Sequence, residues 1–598
     1  MPQGNFPALT PAPLPPISPP AQPPLPRVPL DHDGVQVNFC KNPTCANFGV
    51  PIAATAARGR GAVNPYTVVA SGAGLPMGRC NACNEHFPFK SNRGIAEERD
   101  RMAAYLVPIG ATTCPTGTCA NHAVPVGTPG AYQAYGTTKG GSRRWRCCAC
   151  GKTFSASARP TLRQRQPSKN RLIFKLLINK SPLNRIAEVA EVNIGTVFHR
   201  LHFIHEQCVA FAADRERRLA TLPIERLYIS VDRQDHIINW QARKDRRNIV
   251  LSTVGSVDNA TGYCFGLHLN YDPSSDPARV EAEALALNDQ ALPAPHRRFS
   301  RLWLQADYDL AVRQSRKKQP TGTSLTAEID DAYRIAQARP DIESPEAPSK
   351  DERLPISGMQ TRLEYTLYGH FMFLHSLLRN VGKWRFFLDQ DSGIRAACLA
   401  TFREEITGRT CDAFFVRINK DLGIDQKRRA CIAADRLFAA ERAAHPGMKD
   451  HEIVQEIFKR QMASMTPHGR WSDRWLAHPL PTISEPELAI SYLTDFGDYD
   501  PNHLALLYAK ASLHGVDSLF NQLRRRSSML ERSLHLRSNA GRIWSGYAPY
   551  RPEHTVAILD ILRTAHNFIW VGDDGMTPAM RIGLAKAPLD YEDIIHFG

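Results

Sequence analysis

Eight cysteines stand in four short pairs, the spacing at which thiolates gather around a zinc ion. Cys40-x4-Cys45 precedes Cys80-x2-Cys83, and Cys114-x4-Cys119 precedes Cys147-x2-Cys150. Two short knuckles presenting two thiolates each complete a tetrahedral site with no open position, so two structural Zn²⁺ ions are expected. The small modules around them should fold with the metal. Arg79-Cys80-Asn81-Ala82-Cys83, followed by Phe87, recurs as Arg146-Cys147-Cys148-Ala149-Cys150, followed by Phe154. Ala46-Asn47 likewise recurs as Ala120-Asn121. One module has been duplicated, and Cys148 is left over as a bystander. The competing reading is a set of buried or redox-active thiols; two copies, each with its own upstream pair, favour zinc.

A second set of residues is acidic. Leu227-Tyr228-Ile229-Ser230-Val231-Asp232 alternates and ends in a carboxylate, and Trp384-Arg385-Phe386-Phe387-Leu388-Asp389 is a buried-strand pattern ending the same way. Asp391 and Gly393 follow, then a helix expected over 394–406. Apolar runs at Ile249–Val257 and Gly262–Leu269 complete an antiparallel meander whose first strand delivers Asp232 to its tip. Carboxylates on neighbouring strand ends can hold two Mg²⁺ ions about 4 Å apart, as in-line phosphoryl transfer requires, because Mg²⁺ prefers hard oxygen ligands. Strands also end in Asp simply because loops begin there, and either acid alone is read that way.

Between these sets lies a helical pair. Ser181-Pro182 offers an N-cap and a proline at the first helical position, and Glu191-Val192-Asn193 is a turn before a helix that begins at Ile194. Ile186, Ala187, Ala190, Val192, Val197 and Leu201 would pack the two helices together in the layout of a helix-turn-helix. Thr196, His199 and Arg200 would then face a DNA groove or its phosphates, with Arg163, Arg165, Lys169, Arg171 and Lys175 on the backbone. An ordinary helical hairpin fits the pattern equally well; its place after the cysteine modules in a basic chain favours DNA.

The 598 residues carry 74 Lys+Arg against 59 Asp+Glu, a net charge of +15. That balance suits a polyanionic partner, although a basic soluble protein would share it. The length calls for several domains. No apolar run is long enough to span a membrane, and the first residues lack the order of a secretory signal, so a cytoplasmic location is expected. The expected domains are a Pro-rich tail (1–34), with twelve prolines before residue 31, two zinc ribbons (35–100 and 101–160), a helix-turn-helix domain (161–222) and a catalytic domain (223–598). The last contains a polar insertion at 273–360 and a helical one at 420–500.

Zinc ribbon, helix-turn-helix and a strand ending in Val231-Asp232, in that order, resemble the bacterial insertion-sequence transposases with a ribonuclease-H-like DDE or DDD domain. Phe387-Leu388-Asp389-Gln390-Asp391 followed by Ala396-Ala397 looks like that superfamily's second-acid strand and helix. Ala565-His566-Asn567-Phe568, then Gly575-Met576-Thr577-Pro578-Ala579-Met580-Arg581-Ile582-Gly583-Leu584-Ala585, is similar to its closing phrase. The likeness runs from about 40 to 585 but leaves out 273–360. It implies a multidomain α+β chain: tandem zinc ribbons, a helical helix-turn-helix domain and a mixed α/β catalytic domain with insertions.

The family's third acid lies on a helix about two turns before a basic cluster. Asp517, ahead of Arg524-Arg525-Arg526, takes that position, with Glu531 as the alternative. The resemblance implies that Asp232, Asp389 and Asp517 bind two Mg²⁺, that a transposon end is hydrolysed, and that the freed 3′-hydroxyl attacks target DNA. It also implies double-stranded DNA as partner (transposon ends and target), a homodimer or larger assembly on it, association with the nucleoid, and DNA-backbone contacts from the Arg524–Arg526 run. A transposase-derived DNA-binding protein without catalytic activity is the alternative, and a zinc protein with a scaffolding middle region is a third.

Overall fold

The computed structural model describes residues 25–597 except 56–62, 71–74, 108–111, 123, 127, 139–142, 156–159, 163, 240–247, 315–328, 331–356, 420, 470 and 532–550. Most of the Pro-rich tail, Arg163 and much of the polar insertion lie outside the described residues.

The sequence duplication carries through to the backbone. β1 (Tyr66–Ala70), β2 (Pro76–Cys80) and β3 (His86–Pro88) form one antiparallel sheet; β4 (Tyr132–Thr137), β5 (Arg143–Cys147) and β6 (Thr153–Ser155) form another. Tyr66 pairs with Cys80 in the first and Tyr132 with Cys147 in the second. Helix α1 (Asn92–Ala103) leaves the first sheet and is capped by the Ser91 side chain.

Three helices follow: α2 (Lys169–Leu177), α3 (Leu183–Ala190) and α4 (Ile194–Glu216). Ile186, Ala190, Val197 and Leu201 are fully buried between them, as the pattern predicts. Glu191 turns the chain with φ 54°, and the Asn193 side chain accepts the Gly195 N–H at 2.8 Å to start α4. The expected Ser181 cap is not used. Its N–H closes the end of α2 on Leu176, and α3 begins after an extended Pro182. α4 continues to Glu216 because Ile204, Cys208 and Phe211 extend its buried seam against the helix over Pro552–Phe568.

The body is built on one mixed sheet of eight strands, β14-β15-β16-β13-β12-β7-β8-β9. β7 (Ile224–Asn239), β8 (Asn248–Asp258) and β9 (Cys264–Leu269) form the expected antiparallel meander. β12 (Val381–Asp389) runs parallel to β7, and β13 (Cys411–Ile418) parallel to β12. β14 (Thr466–His468), β15 (Asp473–Ala477) and β16 (Leu488–Tyr492) extend the far edge antiparallel. The tiny pair β10 (Tyr271–Asp272) and β11 (Met359–Gln360) brings the two ends of the 273–360 segment together.

Three expectations change here. β7 does not stop at Asp232 but runs on, because polar Gln234 and His236 find partners inside the structure; His236 bonds Thr253 at 3.0 Å. Asp232 is therefore mid-strand. The helix expected over 394–406 is α6 (Ser392–Thr401) followed by a short turn of helix at Arg403–Thr407. The 420–500 insertion is helical only at first, in α7 (Ile424–Ala444) and α8 (Asp450–Met462), before it supplies the three edge strands.

α5 (Leu363–Leu377) and α6 cover one face of the sheet, and α9 (His514–Arg526) covers the other. α10 (Pro552–Phe568) packs along α4 and the β9 edge. Asn567 closes that edge by accepting the Cys264 N–H and donating to its carbonyl, both at 2.9 Å. No described helix is long and apolar enough to cross a membrane.

A buried ion pair ties these layers together. Glu216 on α4 accepts Arg563 of α10 at 2.7 Å and the Tyr263 hydroxyl at 2.8 Å, and Tyr105 at 2.5 Å. Removing one partner of such a pair strands a charge in the core, at a cost of about 3–5 kcal/mol. Glu216→Leu should lower stability by that amount in urea denaturation, whereas the double replacement Glu216→Leu with Arg563→Met should recover much of it.

Candidate metal centres and catalytic cavity

In both cysteine quartets all four sulfurs lie within 4.8 Å of one another, and none is in a disulfide. Cys40–Cys83 and Cys45–Cys80 are 3.5 and 3.7 Å apart; Cys114–Cys150 and Cys119–Cys147 are 3.4 and 3.7 Å apart. Tetrahedral zinc with bonds near 2.3 Å sets its sulfurs about 3.8 Å apart, so both quartets fit two zinc ions. Cys148 stands outside them, exposed.

The surroundings of the two centres repeat as well. The Asn47 and Asn121 side chains donate to Cys80 and Cys147 at 3.3 and 3.5 Å, and their own N–H groups to Cys45 and Cys119 at 3.4 Å. Tyr66 accepts the Cys40 N–H and donates into the Asn47–Val50 loop; Tyr132 does the same for Cys114 and the Asn121–Val124 loop. Phe87 and Phe154 meet those tyrosines edge-on. Burial pushes the Cys80 thiol up, but N–H groups of Cys83 and Ala82 with the Asn47 amide outweigh it, leaving about 7. Cys147 is brought to about 6 in the same manner. Such sulfurs are ready thiolate ligands. Asn47 and Asn121 are in the repeated phrase; Tyr66 and Tyr132 escape it because their spacing from the cysteines differs between copies.

On the sheet, the last β7–β12 pair is Val231 with Leu388. The next residue on each strand is an acid, Asp232 on β7 and Asp389 at the end of β12, so the two fall side by side. Asp232 is 5% exposed; Asp389 is half-buried. Asp391 is not part of this pair. It caps α6 through the N–H groups of Gly393 and Ile394 and meets Arg233 at 3.3 Å.

α9 lies across β7 on the Asp232 side. Its Val516 N–H bonds the Ser230 hydroxyl at 3.0 Å, and Arg524 donates to Gln234 at 2.9 Å. Gly255, opposite Asp232, makes the approach possible, since a Cβ there would come within 2.8 Å of the Phe520 ring. A cavity of about 760 Å³ remains, lined by Asp232, Asp517, Glu485, Arg524, Lys427 and Glu531 among others. Asp389 does not line it. Among the described residues, only the cysteine quartets bring three or more ligand atoms within 4.8 Å of one another, so the three aspartates do not close into such a set.

Of the two candidate third acids, Asp517 sits in the first turn of α9, half-buried. Glu531 is exposed and paired with Lys180 at 2.9 Å. Glu485 is the acid that sequence reading missed. It is 8% exposed and accepts the Ser512 hydroxyl and the Leu513 N–H, which fixes the approach to α9. Burial and the nearby Asp517 charge raise its pKa, against those hydrogen bonds. Its only signal was an acid just ahead of the apolar β16 run.

The basic run divides. Arg524 reaches the cavity, Arg525 is exposed, and Arg526 turns back to bond Asn179 at 2.7 Å and stack over Trp570. The Lys180 N–H also bonds the Arg526 carbonyl at 2.7 Å, so the three-helix unit is tied to the end of the helix that carries Asp517. On α4, His199 is exposed and Thr196 and Arg200 are half-buried. In the closing phrase His566 bridges Gln522 of α9 and the Gly262 carbonyl, both at 2.8 Å. The phrase positions α9 and the sheet edge.

Burial holds three imidazoles neutral. His236 is lowered to about 4 and His370 to about 3, and His268, bonded to His370 at 2.8 Å, falls well below its usual value. The unfolded chain takes up these protons below about pH 6.5 while the folded chain does not. Stability should therefore fall as pH drops from 6.5 towards 4, by up to about 1.4 kcal/mol per pH unit for each group. Melting curves of wild type and His370→Phe across that range check this: the variant's profile should be flatter.

No protein-family model matches the chain, and no curated protein matches it significantly.

Proposed function

We propose that the chain is a DNA transposase that cuts and joins strands at the ends of an insertion sequence. The observation that carries this reading is the register that sets Asp389 beside Asp232 on adjacent parallel strands. The meander continued by two parallel strands supports a ribonuclease-H-like catalytic domain, and the helical unit fixed to α9 supports a helix-turn-helix that presents DNA to it. Asp232, Asp389 and Asp517 would hold Mg²⁺, which would supply charge neutralisation and Lewis acidity at the phosphate. Arg524, oriented by Gln234, adds positive charge at the cavity wall, where a scissile phosphate would sit. Water attack on phosphorus would break the bond to the 3′ oxygen and free a 3′-hydroxyl; attack by that hydroxyl on a target phosphodiester would join the strands, breaking the target's own P–O3′ bond and releasing its 3′ oxygen as a hydroxyl. Pairing two ends calls for at least two copies of the chain.

A second reading, a catalytically inactive DNA-binding descendant, is favoured by the separation of the three aspartates. The protein incubated with Mg²⁺, a plasmid and DNA carrying the sequences that flank its gene separates the two. Nicked ends and joined products support the transposase, and binding without either supports the descendant.

A further inference from the structure

The duplicated ribbons each repeat one cysteine quartet but do not share a surface. Residues of the first belong to the main hydrophobic core: Phe39, Cys40, Cys80, Phe87 and Phe89 are contiguous with the buried residues of the sheet and its helices. Ser91 bonds Tyr365 of α5 at 3.2 Å, Arg403 bonds the Gln36 carbonyl at 3.2 Å, and Arg301 meets the fully buried Glu98 of α1. No described residue between 112 and 155 is part of that core. In the second ribbon's strands only Cys147 is buried.

Charge has diverged in the same direction. Between Asp100 and Glu188 the chain has no Asp or Glu and fourteen Lys and Arg. The residue that closes each C-x2-C knuckle on the backbone is Glu85 in the first copy and Lys152 in the second. Glu85 is buried and faces Arg395 of α6; Lys152 is exposed. Arg143, Arg144 and Arg146 lie together on β5, opposite a strand that presents Tyr135, 49% exposed, beneath the Arg144 guanidinium. None of these arginines makes an ion pair among the described residues. An exposed, acid-free strand of arginines beside an open aromatic ring fits a polyphosphate backbone, whereas the first ribbon has its corresponding surface against protein.

We infer that the two copies have divided their labour: the second ribbon is an arm that holds the backbone of double-stranded DNA, and the first is a brace of the catalytic body with no DNA contact of its own. The division rests on the DNA-binding reading above, and one titration separates the failure of each. Wild type, the triple variant Arg143→Ala/Arg144→Ala/Arg146→Ala and Cys119→Ser/Cys147→Ser are titrated with a double-stranded oligonucleotide over a range of salt, with melting curves alongside. The triple variant should bind roughly 10- to 10³-fold more weakly, with a salt slope smaller by about 2–3 and an unchanged main melting transition. The double cysteine variant should lose affinity similarly, again with that transition kept. Wild-type affinity and slope in the triple variant would overturn the division while leaving DNA binding intact. A wild-type protein that fails to bind the duplex even at low salt would overturn the DNA reading itself.

Discussion

Asp232→Asn and Asp389→Asn should each reduce Mg²⁺-dependent strand cleavage on the order of 10³-fold or more, with DNA affinity kept. On the proposed function each carboxylate would act where charge develops in the transition state, so its loss would fall on the chemical step and not on binding. Asn is close in size to Asp, and both positions are fixed by backbone pairing in the sheet, so the fold should tolerate the change. Asp391→Asn is the informative contrast. It lies two residues from Asp389, but it caps α6 and meets Arg233; Asn caps a helix nearly as well as Asp, and Arg233 keeps Asp235 as a partner at 3.4 Å. That variant should cut at close to the wild-type rate. A gel assay of end cleavage on the three variants checks the set, with Asp517→Asn and Glu485→Gln alongside. Asp517→Asn should resemble the sheet variants, and Glu485→Gln, which can still accept the Ser512 hydroxyl, should keep most activity.

Loss of zinc from the first cysteine quartet, which fits that ion, should have the largest effect on stability. A structural zinc site contributes on the order of 10 kcal/mol to folding of the unit that holds it, and here Cys40 and Cys80 are fully buried within the main core. Cys80→Ser should unfold that unit and expose the α1–α5 contact, in which Gly94 and Gly369 let the two helices approach closely. Melting should then fall by many degrees and the body should become sensitive to protease. Cys147→Ser should leave the main transition in place. Differential scanning calorimetry of the two variants, with zinc content measured, distinguishes them; equal melting would contradict the separate roles of the ribbons.

Local chemistry made some of this readable in advance. Cysteine pairs at knuckle spacing identify their own quartets because each knuckle is a few residues long, and the α3–α4 turn is encoded within a dozen residues. The strands carrying Asp232 and Asp389 were readable as types, but the parallel register that joins them is set across a sheet in which the two acids lie more than 150 residues apart. β7 was cut short because Gln234, Asp235 and His236 look like a loop; their partners Arg524, Ser252 and Thr253 lie elsewhere in the chain. Glu485 and the strands β14, β15 and β16 around it were hidden in a segment read as a helical insertion. The closing phrase around His566 and Asn567 was visible as a pattern, whereas its physical task, clamping α9 and the open edge of β9, depends on groups 44 residues away on α9 and 303–304 residues away at the sheet edge.

On the proposed function, Asp232 and Asp389 jointly hold a divalent cation. Anomalous diffraction from crystals of the protein soaked in Mn²⁺ should show a manganese peak beside Asp232 and Asp389 that disappears in Asp389→Asn. Crystals that diffract well and bind Mn²⁺ only elsewhere, or nowhere, would contradict it.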